Sequence, residues 1–390
     1  MESDTLAKGG VLEIPRAVAY LCGCAVRQQV ADASRLLGVD RAALMDFAQS
    51  HSLASCVGVA LDAAGFGDDR THEEAARGIW RVAQLQSDWE LARKELEREG
   101  IWYCPLKGAV VRDLYPAFGM RQMADFDVLF DATRAADVRK VMLRLGFTCE
   151  HYDAGVHDVY YKRPVTNLEM HRALFGPTSD ARLKEFYDGV KDRLVKDEDN
   201  DFGWHMDVDE CYLYLVAHEH KHFSASGTGL RSLLDTYVYL CAYGMQIDWS
   251  WVVRTAYELG LGDFEESNRE LALRLFGDEE LTEDDLRTLA YMASSGTYGT
   301  IQNGVRNQVE EGGGGVVGTI RYLGQRLFPP VSALRIAYPA FFRHALAVPL
   351  VYPYRLWKAA TVSRKVVGIQ LRVLAGGRES VACRGTTTCS

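Results

Sequence analysis

No stretch of this chain runs for 18 or more apolar residues without a charge, so an ordinary membrane-spanning helix is excluded. There is no Cys-x-x-Cys pair. The nine cysteines are odd in number and scattered, and even Cys22 and Cys24 are only two apart. That pattern argues against a disulfide framework or a structural zinc site and favours reduced thiols in a cytoplasmic protein. The opening residues, Met1 to Gly10, are polar and mixed in charge, and lack the basic, apolar and small-residue order of a secretory signal. No internal repeat is visible. Basic residues are in deficit, with 44 Lys and Arg against 53 Asp and Glu and a net charge of −9. The deficit is uneven. From Thr319 onward there are eleven Lys or Arg and one acid, Glu379, which leaves the rest of the chain at −19. An acidic body of that kind disfavours a long nucleic acid as partner.

What is present is enough sequence, 390 residues and 43.6 kDa, to bury a large core, with two domains expected. Two aspartates alternate inside the apolar run Asp125-Phe126-Asp127-Val128-Leu129-Phe130. In a strand, residues i and i+2 share a face, so both carboxylates converge while Phe126 and Val128 pack behind them. Two hard oxygen ligands on a rigid strand suit Mg²⁺, which also binds substrate phosphates. Such a pair can equally be a polar turn or a solvated face. Here its flanks are apolar, Lys107-Gly108 sits upstream at a strand-to-helix turn, and a third acid, Glu169, lies in the strand-like segment Asn167 to His171. A glycine at 108 lets the backbone approach a phosphate chain. Lys107, Arg112 and Arg121 are the nearby cations able to hold phosphate oxygens. Three carboxylates beside such a turn form a two-metal phosphoryl- or nucleotidyl-transfer arrangement.

Along the chain, spacing of three and four predicts helices over 17–29, 31–49 and 71–99, the last capped from Thr71 and stopped by Gly100. Strands are expected at 101–106, 123–130, 147–151, 158–162 and 165–171, with helices at 109–115 and 132–145. Helices follow at 207–223 and 230–243 and continue through 251–307. Glu310 to Gly315 reads as a loop or linker. The resulting division is a helical region at 1–100, an α/β core at 101–175, a helical domain at 176–310 that completes a cleft, a basic apolar helical tail at 311–375, and a disordered end at 376–390.

Leu106-Lys107-Gly108, Leu114-Tyr115-Pro116, Arg121, Asp125 to Phe130 and Leu168-Glu169-Met170-His171 together resemble the uncharacterised bacterial nucleotidyltransferase family of the DNA polymerase β-like superfamily. Lys107-Gly108 replaces the commoner Gly-Ser, and the third acid is Glu169. The resemblance extends to Leu215-Val216-Ala217-His218 through His222, to Leu230-Arg231 with Asp235, and to Leu327 through Trp357. It implies an α+β fold, a small mixed β-sheet core flanked by N- and C-terminal helical regions. It also implies transfer of an NMP from an NTP, with Mg²⁺ or Mn²⁺ and release of pyrophosphate. Asp125, Asp127 and Glu169 would bind metal and carry catalysis, with Lys107 and Gly108 at the triphosphate. The acceptor is not implied.

His218-Glu219-His220-Lys221-His222 also matches the His-Glu-x-x-His pattern of zinc hydrolases, with both histidines on one helix face. The alternative for this helix is that Lys221, His222 and Arg231 bring cations to the triphosphate. Asp235, four residues after Arg231, would pair with it. Asp207-Val208-Asp209 precedes a helix and reads as capping. Tyr212, Tyr214, Tyr237 and Tyr239 read as core or cleft wall. The basic tail reads as a lid over the acidic body, a binder of an anionic membrane surface, or a site for another anionic partner. A third functional class is a catalytically silent protein of the same fold that only binds nucleotide or a partner.

Overall fold

The computed structural model describes residues 12–153 and 155–374. The segment at 376–390, expected to be disordered, lies outside the described residues. The chain divides into two units, one comprising the described residues up to Phe223 and then Thr228–Tyr298, the other Ser224–Gly227 and the chain from Gly299. The fold is α+β, a five-stranded mixed sheet with many flanking helices.

In the first unit, four helices precede the sheet: α1 (Glu13–Val26), α2 (Arg41–Ser50), α3 (Ala54–Ala63) and α4 (Asp69–Arg98). The helix expected over 31–49 is shorter. Gly38 takes φ +83°, and Asp40 caps a fresh start by accepting from the amides of Ala42 and Ala43. Helix α3 lies inside the region expected to be helical, but no spacing gives it bounds of its own. Its residues are buried almost all round, so it lacks the polar face that marks a helix in sequence. The start of α4 also differs. Asp68 is the cap, and Thr71 closes a reciprocal box, donating its amide to the Asp68 side chain and accepting from the Asp68 amide.

The sheet follows: β1 (Tyr103–Pro105), α5 (Gly108–Val111), β2 (Phe126–Phe130), α6 (Ala135–Arg144), β3 (Thr148–His151), β4 (His157–Lys162) and β5 (Thr166–His171). The strand order is β1-β2-β5-β4-β3, with β2 and β5 parallel and the remaining pairs antiparallel. Phe126, Val128 and Phe130 of β2 pack with Leu168 and Met170 of β5 against Val82, Leu85 and Trp89 of α4 and Val138 of α6. Removing one of these rings, as in Phe126→Ala, costs about 3–5 kcal/mol on ordinary core energetics. A short unexpected hairpin, β6 (Val195–Lys196) with β7 (Trp204–His205), lies after α7 (Ala181–Asp188). The unit then continues with α8 (Val208–Ser226, counted with this unit up to Phe223), α9 (Leu230–Tyr243), α10 (Trp249–Glu258), α11 (Gly262–Gly277) and α12 (Glu283–Ser295). Leu213, Tyr214 and Ala217 of α8 cover the sheet face opposite α4, together with Leu129 and Phe175. Tyr212, Tyr214, Tyr237 and Tyr239 are all buried. Asp207 does cap α8, accepting from the amide of Glu210 at 2.8 Å.

In the second unit, α13 (Ile301–Glu311) and α14 (Gly315–Leu327) form a helical hairpin. The glycine run is its turn rather than a linker. Gly313 and Gly314 have φ of +106° and +70°, and a Cβ on Gly318 would fall 1.9 Å from the Val309 carbonyl oxygen. Helix Ile301–Glu311 therefore belongs with the tail, whose unit starts at Gly299 and not after the glycines. Among the described residues no helix is long and apolar enough to cross a membrane.

Candidate active site

The register of the parallel pair sets Asp127 directly opposite Glu169. Because the even-numbered residues of β2 and β5 face α4, Asp127, Glu169 and His171 all face the other way. Antiparallel β4 adds to that face, with His157 opposite His171 and Val159 opposite Glu169. Asp125 sits immediately before β2. These groups open into a cavity of about 390 Å³.

Lys107 stands at the turn between β1 and α5 with φ +49°, a conformation that residues with side chains rarely adopt outside functional or strained turns. Its Nζ donates to Asp127 Oδ1 at 2.7 Å. His171 Nε2 approaches the same oxygen at 2.7 Å. An ionised carboxylate only accepts, so this contact fixes the proton of the His171 ring on Nε2.

The carboxylates do not ionise alike. Burial works to raise Asp127, but the Lys107 ammonium and the His171 hydrogen bond outweigh it and hold Asp127 well below the usual carboxylate range. Asp125 is raised, by burial and then by the adjacent Asp127 charge. Glu169 is pushed up to about 7 by burial, with Asp127 and Asp125 adding to it. Burial pushes His171 down to about 4, with Lys107 reinforcing the shift, so its ring is neutral near pH 7. Without a further cation, this cluster lowers its charge by retaining a proton on Glu169 up to about pH 7.

A second ion pair borders the cavity. Arg121 donates from Nε and Nη2 to the two oxygens of Asp235 at 2.8 and 2.7 Å, and Tyr115 donates its hydroxyl to Asp235 Oδ1 at 2.8 Å. This corrects the pairing of Asp235 with Arg231. Arg231 instead reaches the Gln122 carbonyl at 3.4 Å. It also revises the reason for Gly108, since a Cβ there would lie 2.4 Å from Arg121 Nη1. The glycine makes room for the guanidinium. The amides of Ala109, Val110 and Val111 turn back to Leu106 and Lys107, so they are committed to the turn itself.

Asp125, Asp127, Glu169, Lys107, Gly108, Arg121, Lys221, His222 and Arg231 all line the cavity. Arg112 does not; its guanidinium lies over the Phe126 ring at 5.3 Å. His218 and His222 approach one another at 3.2 Å between their Nε2 atoms. Glu219, the base a zinc hydrolase would require, accepts instead from Thr236 and Asn268 at 3.2 and 2.9 Å within the helices. Among the described residues, the group of three able to hold a metal closes on His157, Glu169 and His171, not on His218 and His222. His171 was visible in sequence by the same alternation that joins Asp125 to Asp127. His157 and the Arg121–Asp235 pair carry no local signal.

The chain belongs to the family described as uncharacterised nucleotidyltransferase, whose family model matches residues 38–277. Membership supports NMP transfer as the general activity and an NTP as substrate. The match ends before the tail. No curated protein and no solved structure matches the chain.

Proposed function

We propose that this protein moves an NMP from an NTP to a hydroxyl or phosphate acceptor on a small molecule, peptide or protein, in a reaction dependent on Mg²⁺ or Mn²⁺. The observation that carries the reading is the pairing of Asp127 with Glu169 across β2 and β5, with Asp125 beside them and a lysine ammonium already on Asp127. That ammonium is a stand-in cation at hydrogen-bond distance, and the donor set around it is hard oxygen, so the residues fit a divalent ion. Asp125, Asp127 and Glu169 would hold it. Bound there, the ion supplies charge neutralisation on the triphosphate and lowers the pKa of the acceptor hydroxyl.

The chain's own groups do the rest. Lys107 leaves Asp127 for the triphosphate, joined by Lys221, His222 and Arg231 from α8 and α9. The acceptor oxygen forms a bond to the α-phosphorus as the bridging α–β P–O bond breaks, and pyrophosphate leaves with the electron pair. The acceptor proton passes to Glu169. The acidic body disfavours a long polyanionic acceptor.

The test is incubation with Mg²⁺ or Mn²⁺, each α-labelled NTP and a panel of acceptors. Label transfer and pyrophosphate release are expected, and both should vanish in Asp125→Ala and Asp127→Ala. Equal behaviour of wild type and both variants would sink the reading. NTP binding that survives without any transfer would favour the silent binder instead.

A further inference from the structure

We propose that His157, Glu169 and His171 form a cation site of mixed nitrogen and oxygen donors beside the Asp125–Asp127 pair, one that takes a divalent transition ion, Mn²⁺ included, in preference to Mg²⁺. The site deepens the transfer reading, on which its place in the reaction rests.

Three observations converge. One ligand atom from each residue lies within 4.8 Å of the other two. Closing these donors onto an ion with bonds of about 2.0–2.2 Å requires only roughly an ångström of inward movement. The backbone already supports that closure. Glu169 and His171 share a face of β5, and His157 is the cross-strand partner of His171, with the two ring centroids 4.9 Å apart. His157 Nε2 stands 3.5 Å, and His171 Nε2 3.9 Å, from Glu169 Oε2. Finally, each imidazole keeps its Nδ1 buried with no hydrogen-bond partner among the described residues. A metal-ligating histidine ordinarily commits its other nitrogen to a carboxylate, carbonyl or water, as His171 does through Nε2 on Asp127. On His171 the ring proton faces Asp127 from Nε2, so its bare Nδ1 is an unprotonated lone pair, the form in which imidazole binds a cation.

The chemistry of the donors sets the selectivity. Mg²⁺ demands oxygen and retains its water, whereas transition ions accept imidazole nitrogen with an affinity that rises from Mn²⁺ through Co²⁺ and Ni²⁺. Adding two imidazoles to a carboxylate therefore tilts the position away from Mg²⁺.

The experiment loads the full-length protein with one equivalent of Mn²⁺ and reads nitrogen coupling by electron spin echo modulation, with Mn²⁺ and Mg²⁺ affinities measured by titration. The expected result is an imidazole ¹⁴N signature and at least a roughly tenfold preference for Mn²⁺ over Mg²⁺. In His157→Ala the nitrogen signal weakens and the preference collapses. In His157→Asp, which restores an oxygen donor at a partly exposed position, cation binding persists and preference moves toward Mg²⁺. Melting curves confirm that both variants fold. Absence of a nitrogen signature, or a signature and preference unchanged in both His157 variants, overturns the site. So does a signature lost in His218→Ala and kept in His157→Ala, which would place the ion on the α8 histidines. If the signature holds while no NTP is turned over, the cation site stands and the transfer reading falls. If Mg²⁺-supported transfer requires Asp125 and Asp127 without any nitrogen signature, the cation site falls and transfer stands.

Discussion

Arg121–Asp235, buried, and Lys107–Asp127, with its lysine part-buried, are both cation–carboxylate pairs on the wall of one cavity, and they are built for different ends. In the first, a planar guanidinium meets both carboxylate oxygens, and Tyr115 adds a third donor. Its geometry is complete and directional. In the second, a point-charge ammonium and a neutral imidazole both press on one oxygen, Oδ1, and among the described residues nothing donates to Oδ2. Breaking the first leaves a charge stranded in the protein. Exchanging the second for another cation leaves no charge stranded. A buried pair is a strut when its lone pairs are filled, and a replaceable counterion when some are spare.

Substitutions can break or sharpen that contrast. The largest effect is expected for Asp127→Asn, which should lower single-turnover transfer by about 10⁴-fold, equivalent to roughly 5 kcal/mol, while unfolding midpoints fall only slightly, because the Lys107 ammonium it frees keeps some access to solvent. Asp235→Ala should do the opposite. Denaturant titration should show a loss of about 3–5 kcal/mol from the uncompensated Arg121 charge. If Asp127→Asn proved the more destabilising of the two, the assignment of strut and counterion would be reversed.

A third carboxylate tests the case with no cation at all. Glu219 is buried among neutral partners, which leave burial dominant and its pKa raised to about 7. The unfolded chain ionises near 4.5, so between about 4.5 and 7 the folded state binds more protons. Stability should therefore fall as pH rises through that window. Glu219→Gln should flatten the slope, recovering up to about 3 kcal/mol at pH 8, as read from stability curves at several pH values. The smallest effect is Gly108→Ala, costing about 1–2 kcal/mol by crowding Arg121. In an Asp235→Ala background, where the guanidinium is free to move, that cost should shrink, and a double-mutant cycle measures the coupling.

How much of this was legible before the structure depends on range. The five strands and the Asp125, Asp127 and Glu169 carboxylates follow from alternation within a few residues, since a period of two is a local property. The Arg121–Asp235 pair joins positions 114 apart, and no spacing rule reaches that far. His157 faces His171 because of an antiparallel register, which is decided by packing on the buried face and not by either segment alone. Helix α3 falls in the stretch read as helical, yet its ends stay hidden for the reverse reason: it is too well buried to look amphipathic. The Thr71 cap was misplaced by one turn because Asp68 and Thr71 are both good capping types, and only the geometry distinguishes the cap from its reciprocal partner.

The parallel pairing of β2 with β5 has a consequence in time. Strands β3, β4 and β5 are consecutive and antiparallel, so they form through near-neighbour contacts, whereas β2 must wait for a strand roughly forty residues later in the chain. On the ribosome, a chain that has emerged only through β4 carries Asp125 and Asp127 but not Glu169. The three carboxylates come into being as one centre only when that last parallel ladder closes. Recovery of divalent-ion binding during refolding should accordingly track the slowest phase of sheet formation, and binding that returned ahead of it would show that two aspartates suffice.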